Sequence, residues 1–83
     1  MQITFPMGSA LDFDTNMVAF PVDVDGKRLR CLVSAEALQD HFDGVGADLV
    51  EVFEANRGSV ELVAAEKIKA GMTSPIRLKT TDF

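Results

Sequence analysis

MVAFPVDVDGKRLRCLVSAEALQDHF, residues 17–42, is the stretch that decides the fold. Apolar and polar residues alternate on both sides of Asp25-Gly26, and the second run passes directly into helical spacing. Asp-Gly suits a two-residue type I′ turn, because both central positions of that turn need positive φ. Folding the chain about it pairs Val24 with Lys27, Val22 with Leu29, Phe20 with Cys31 and Val18 with Val33. One face of the hairpin 17–34 then carries Val18, Phe20, Val22, Val24, Leu29, Cys31 and Val33. The other carries Met17, Ala19, Pro21, Asp23, Arg28, Arg30, Leu32 and Ser34, with Asp23 opposite Arg28. A slip of one residue would turn the apolar face to water, so the register is strongly specified. Pro21 falls at a non-hydrogen-bonded pair, with its nitrogen pointing away from the partner strand. A third strand on that side would lose a donor, so strand 17–24 is expected to be an edge, at least locally.

Outward from the hairpin, Ser34 reads as an N-cap and Glu36 in the first turn complements the helix dipole. Leu38 and Phe42 share the inward face, and Gly44 reads as the left-handed residue that ends the helix. A second helical stretch is predicted from about residue 47 to residue 70. Its inward stripe is Leu49, Val52, Phe53, Val60, Val63 and Ala64, with Val50 and Ile68 on the shoulder. Gly58-Ser59 marks the place where it would break or bend, and Gly71 closes it. Residues 2–5 and 76–80 read as short terminal strands, and residues 6–16 as loop anchored by Leu11 and Phe13. The expectation is a single α+β domain over residues 1–83. It has a small, mainly antiparallel sheet, the hairpin 17–34 plus terminal strands, with two or three helices packed on one face.

Composition narrows the function classes. At 83 residues the chain buries only roughly 60–65% of its unfolded surface, so stability is marginal and a partner subunit would help. A net charge of −5 repels phosphate backbones. Nucleic-acid binding would have to rest on Lys27, Arg28 and Arg30, which Asp23 and Asp25 neutralise, and is the weakest reading. A single cysteine excludes an intrachain disulfide. The longest wholly apolar runs are a few residues, too short to span a membrane. The start of the chain lacks a basic segment followed by an apolar run, so no signal peptide is expected and a reduced, cytoplasmic setting is.

The motifs also resemble a known family. They are Phe5-Pro6, then V-x-F-P-x-x-V-x-G over residues 18–26, then L-x-C-x-V-S-x-E-A-L-x-x-x-F over residues 29–42. The later F-x-x-N-R-x-x-V-E-x-x-A over residues 53–64 and the closing Thr-Asp-Phe complete the set. In order and spacing, over nearly the whole chain, these resemble the bacterial family catalogued as domain of unknown function 1488. Relatives often carry a bulkier residue where this chain has Gly58. The resemblance implies a compact α+β fold in a bacterial cytoplasm, and it implies no activity, cofactor or catalytic residue.

The residues that carry chemistry form no recognised catalytic set. Cys31 alternates with Leu29 and Val33 and has no cationic neighbour on its own face, so it reads as a buried thiol. His41 lies among Asp40, Phe42 and Asp43, too few ligands for a zinc tetrahedron, and suits a helix C-terminus. Asp43, Asp48, Glu51 and Glu54 lack the oxygen spacing of a calcium loop and read as a solvated face. Gly44 and Gly46 without a following Lys-Ser/Thr make a turn and no phosphate loop. Arg57 and Glu61 stand one turn apart and can pair. Asn56 falls on the apolar face and is expected to bond a loop backbone. No cofactor or metal is implied.

The leading reading is therefore a non-catalytic interaction module that associates with itself or docks a protein partner. Ala55, Gly58, Ser59, Leu62 and Ala65 or Glu66 recur at helical spacing opposite the core stripe and would form that interface. The rival is a small-molecule-binding or enzymatic domain in which Asn56, Arg57 and His41 converge on one cavity.

Overall fold

The computed structural model describes residues 1–42 and 48–83. Among the described residues, five strands and three helices follow in the order β1 (Ile3–Thr4), β2 (Ala10–Asp12), β3 (Met17–Val24), β4 (Lys27–Ser34), α1 (Ala35–His41), α2 (Leu49–Ala55), α3 (Arg57–Lys69) and β5 (Ile76–Leu78). A 3-10 turn over Thr80–Asp82 closes the chain. The hairpin pairs in the expected register along its whole length, from Val24 with Lys27 to Met17 with Ser34. Asp25 and Gly26 both have positive φ, 52° and 83°, as a type I′ turn requires. The other side of Asp25 is used as well: its carboxylate accepts the Gln2 N–H at 2.8 Å, and its own N–H donates to the Gln2 carbonyl at 2.9 Å.

β3 is flanked, contrary to the simple edge expectation, by two short strands at its two ends. β1 pairs with Asp23 and Val24, and β2 pairs with Met17 to Ala19. Between them residues 5–9 stand opposite residues 20–22, so the N-terminal segment has excess length there and bulges away. Pro21 sits in the gap, where no strand asks it for an N–H. The local form of the edge reading therefore holds, and the segment 6–16 contains a strand as well as loop. β5 joins the far side of β4 in parallel, Ile76 beside Cys31 and Leu78 beside Val33. It ends at Leu78, two residues short of the expected boundary.

All three helices contribute to one core against the apolar hairpin face. Val18, Phe20, Val22, Cys31, Val33, Leu38, Phe53, Val60, Ala64, Ile76 and Leu78 are buried in it. Phe20 and Phe53 stack with centroids 4.7 Å apart, which locks β3 to α2. Leu32 is also buried, although it belongs to the opposite face of the sheet.

Helix ends follow from named side chains. The Ser34 hydroxyl accepts the Ala37 N–H at 3.0 Å. Asp48, one of the acidic run, caps α2 by accepting from Val50 and Glu51. Gly71 at φ 100° ends α3, with Gly71 N–H to Ile68 and Met72 N–H to Lys67, the two bonds of a Schellman motif. Asp43, Gly44 and Gly46 lie outside the described residues. The long helix does break, but at Asn56 and not at Gly58-Ser59. The Asn56 side-chain amide donates to the Val52 carbonyl at 2.9 Å, taking the acceptor its own backbone N–H would need. That N–H turns to Phe53 instead. Asn56 thus bonds a helix carbonyl in place of the expected loop backbone. At Gly58 a Cβ would meet no atom within 4 Å, so the fold accommodates larger residues there.

Two outcomes follow from this packing. Burial pushes the Cys31 thiol up to about 12, so native protein at neutral pH should react with a thiol reagent at least ~100-fold more slowly than denatured protein. Rapid native labelling would place Cys31 outside the core. At the C-terminus the Lys67 ammonium, together with the Lys79 backbone N–H, holds the Asp82 carboxyl below its ordinary range. A depressed folded value means that the stabilisation is present above the unfolded carboxylate pKa and is lost as pH falls through the folded one. In thermal melts the deficit of Asp82→Asn relative to wild type should therefore shrink between about pH 6 and about pH 2.5.

Candidate functional site

Arg57 is the most heavily engaged polar side chain among the described residues. It opens α3, and its guanidinium donates to Glu61 at 2.7 Å, Glu54 at 3.0 Å, the Pro6 carbonyl at 2.7 Å and the Gly8 carbonyl at 3.1 Å. Its guanidinium carbon lies 5.2 Å from the centre of the Phe53 ring, within cation–π range. Glu54 also accepts the Ser9 hydroxyl. The expected Arg57–Glu61 pair is present, but the larger role was invisible in the sequence. Arg57 grips the bulge between β1 and β2 from about fifty positions away, and no local pattern announces that contact.

His41 stands at the end of α1 and its Nε2 lies 2.9 Å from the Thr80 carbonyl. Its ring centre is 5.7 Å from that of Phe83, which meets Phe42 edge-on at the same distance. The histidine thus fastens the C-terminal turn to α1. Asn56, Arg57 and His41 have separate partners, and none of them lines either of the two cavities described below. The geometry does not assemble them into one site. Among the described residues, no three His, Cys, Asp or Glu side chains gather as metal ligands would.

Arg28 and Arg30 of the hairpin sit on the face turned away from the helices, whereas Lys27, paired with Val24, lies on the helix side. Arg28 is paired with Asp23, and Arg30 with Asp12 at 2.9 Å. Each guanidinium thus stands beside a carboxylate of its own. Beside them lies a cavity of about 500 Å³ walled by Gly8, Ser9 and Ala10 on one side and Ser74 on the other, with Ala19 and Pro21 beneath. A second, of about 460 Å³, lies between the hairpin turn and the end of α3, near Val24, Ile68 and Met72. Neither was foreseen: the first arises from the β1–β2 bulge and two small residues on β3.

The model of the family described as "Protein of unknown function (DUF1488)" matches residues 3–78. The chain belongs to this family. A crystal structure of a DUF1488 protein of unknown function from Shewanella loihica PV-4 has the same fold, with a TM-score of 0.75. At 16% identity, over 93% of this chain and 89% of the other, that likeness concerns architecture alone. No curated protein matches the chain. The α+β architecture expected from the hairpin is the one the DUF1488 structure shares. No helix among the described residues is long and apolar enough to cross a membrane.

If Arg57 is a clamp, its loss should loosen one particular segment. Arg57→Ala should cost ~2–3 kcal/mol in denaturant unfolding, since it leaves the Glu61 carboxylate and two carbonyls without their donor and Glu54 with Ser9 alone. Arg57→Lys should recover only part, because a point charge cannot span four acceptors. Amide exchange should rise first at residues 7–10. Unchanged protection there would assign the stabilisation elsewhere.

Proposed function

We propose that this DUF1488 chain is a non-catalytic interaction module that pairs with a second copy of itself through the outer face of α2 and α3. The observation that carries the reading is Leu62. It is 70% exposed on α3, opposite the buried Val60, Ala64 and Ile68. Ala55, Gly58 and Ser59 are exposed along the same stripe, and Ala65 is half-buried. Neither α1 nor residues 6–16 cover them. Small residues around one leucine let another helix approach closely, and a stripe of this kind suits a two-fold, self-complementary interface.

Charge supports a second copy in the antiparallel sense. Glu51 and Glu54 are exposed at one end of the stripe, and Lys69 at the other. Lys69 has no ion-pair partner among the described residues. Two antiparallel copies centred on Leu62 bring each lysine toward the other copy's glutamates. The marginal size of the core adds a reason for association, because burying Leu62 stabilises each subunit by mass action. The absorbed roles of Arg57, Asn56 and His41 count against the enzymatic alternative that uses them.

Sedimentation tests the reading. Wild-type protein at tens of micromolar should sediment as a dimer, and Leu62→Glu as a monomer with an unchanged circular dichroism spectrum. A monomeric wild type at that concentration would end the proposal.

A further inference from the structure

We propose that the cavity on the open sheet face is a binding site for a small monocarboxylate with an apolar body. Its volume, about 500 Å³, lies within the range of small-ligand pockets, and it is a shallow depression widely open to solvent on the outer sheet face. The cause is local. β3 turns only Ala19 and Pro21 outward here, while its neighbour β4 turns out Arg28 and Arg30. The bulged residues 8–10 raise one rim and Ser74 the other. Apolar ground with two cations at its side selects a ligand that is amphipathic and anionic.

The two arginines are held, not idle. Arg28 presents Nε and Nη2 to Asp23, and Arg30 presents Nη2 to Asp12. A guanidinium has five N–H donors. Nη1 of Arg28 and both Nε and Nη1 of Arg30 have no partner among the described residues. The carboxylates therefore fix the two planes and leave donors for a ligand, as preorganised sites require. They also limit its charge. With Asp12 and Asp23 beside the site, a dianion such as phosphate meets two negative groups, whereas a single carboxylate brings one charge and can accept from the N–H groups left free. Ser74 accepts the Arg30 backbone N–H at 3.3 Å, which leaves its own proton free to donate. Ser9 is not available, since its hydroxyl is spent on Glu54. This site shares no residue with the Leu62 stripe, so either can fail without the other.

Benzoate serves as the probe, with benzamide as the uncharged isostere and inorganic phosphate as the dianion, each titrated into full-length protein labelled with nitrogen-15. Benzoate should give saturable amide shifts centred on Gly8, Ala10, Ala19, Leu29, Arg30 and Ser74. It should bind at least ~10-fold more tightly than benzamide or phosphate. Arg30→Gln should weaken it by ~10-fold or more. Ala19→Leu, which fills the floor and keeps both arginines, should abolish the shifts. Each variant's spectrum also reports its fold; if Ala19→Leu is disordered, Arg30→Gln decides. Shifts centred elsewhere, equal binding of benzamide, full retention in Arg30→Gln, or no saturation by about 20 mM benzoate would overturn the assignment.

Discussion

The left-handed turn at Asp25-Gly26 is the constraint on which the rest depends. Two consecutive residues at positive φ admit one pairing of the flanking strands, and strand geometry then sends alternate side chains to opposite sides. Everything above the sheet follows from that: Cys31, Phe20 and Val33 enter the core, and α1, α2 and α3 have a surface to cover. Everything below it follows too. Asp23 meets Arg28, and the small outward residues Ala19 and Pro21 leave a depression. Asp25 extends the constraint to the chain start by exchanging hydrogen bonds with Gln2.

Arg57 illustrates how polar residues that look functional are absorbed by folding. A guanidinium that is largely covered must find an acceptor for most of its donors. Here two carboxylates and two backbone carbonyls supply them, and the Phe53 ring lies within cation–π range. The same group thereby joins the start of α3 to a bulge in the N-terminal strand. His41 and Asn56 are engaged in the same manner, one by the Thr80 carbonyl and the other by the Val52 carbonyl.

Alternation and turn chemistry made the hairpin, its register, the Ser34 cap and the buried thiol legible in the sequence, because each depends on neighbours within a few residues. The inward stripe of Val52, Phe53, Val60 and Ala64 was legible for the same reason. The break falls at Asn56, where the sequence offers no sign of it: glycine at Gly58 is the commoner helix breaker, and a side chain replacing its own backbone donor leaves no compositional trace. β2 was hidden inside a segment rich in Pro, Gly, Asp and Asn, and only its pairing with Met17 to Ala19 makes it a strand. The ion pair of Asp12 with Arg30 and the grip of Arg57 on Pro6 and Gly8 join segments far apart in the chain. No one-dimensional pattern encodes such meetings, so the cavity they border was out of reach.

The broken N-terminal edge has a bearing on how the chain behaves in a crowded solution. An exposed run of unpaired backbone is a template on which another polypeptide can add a strand, and from there grow an insoluble ribbon. This sheet offers little such template. One border consists of two- and three-residue strands separated by a bulge, and the other is a three-residue strand. The remaining open run, residues 27–30 of β4 beyond the reach of β5, carries Lys27, Arg28 and Arg30. On that view the side chains of this border make it a poor seat for another strand: Lys27 and the ion-paired Arg28 and Arg30 would each have to give up water or a carboxylate beside an incoming chain.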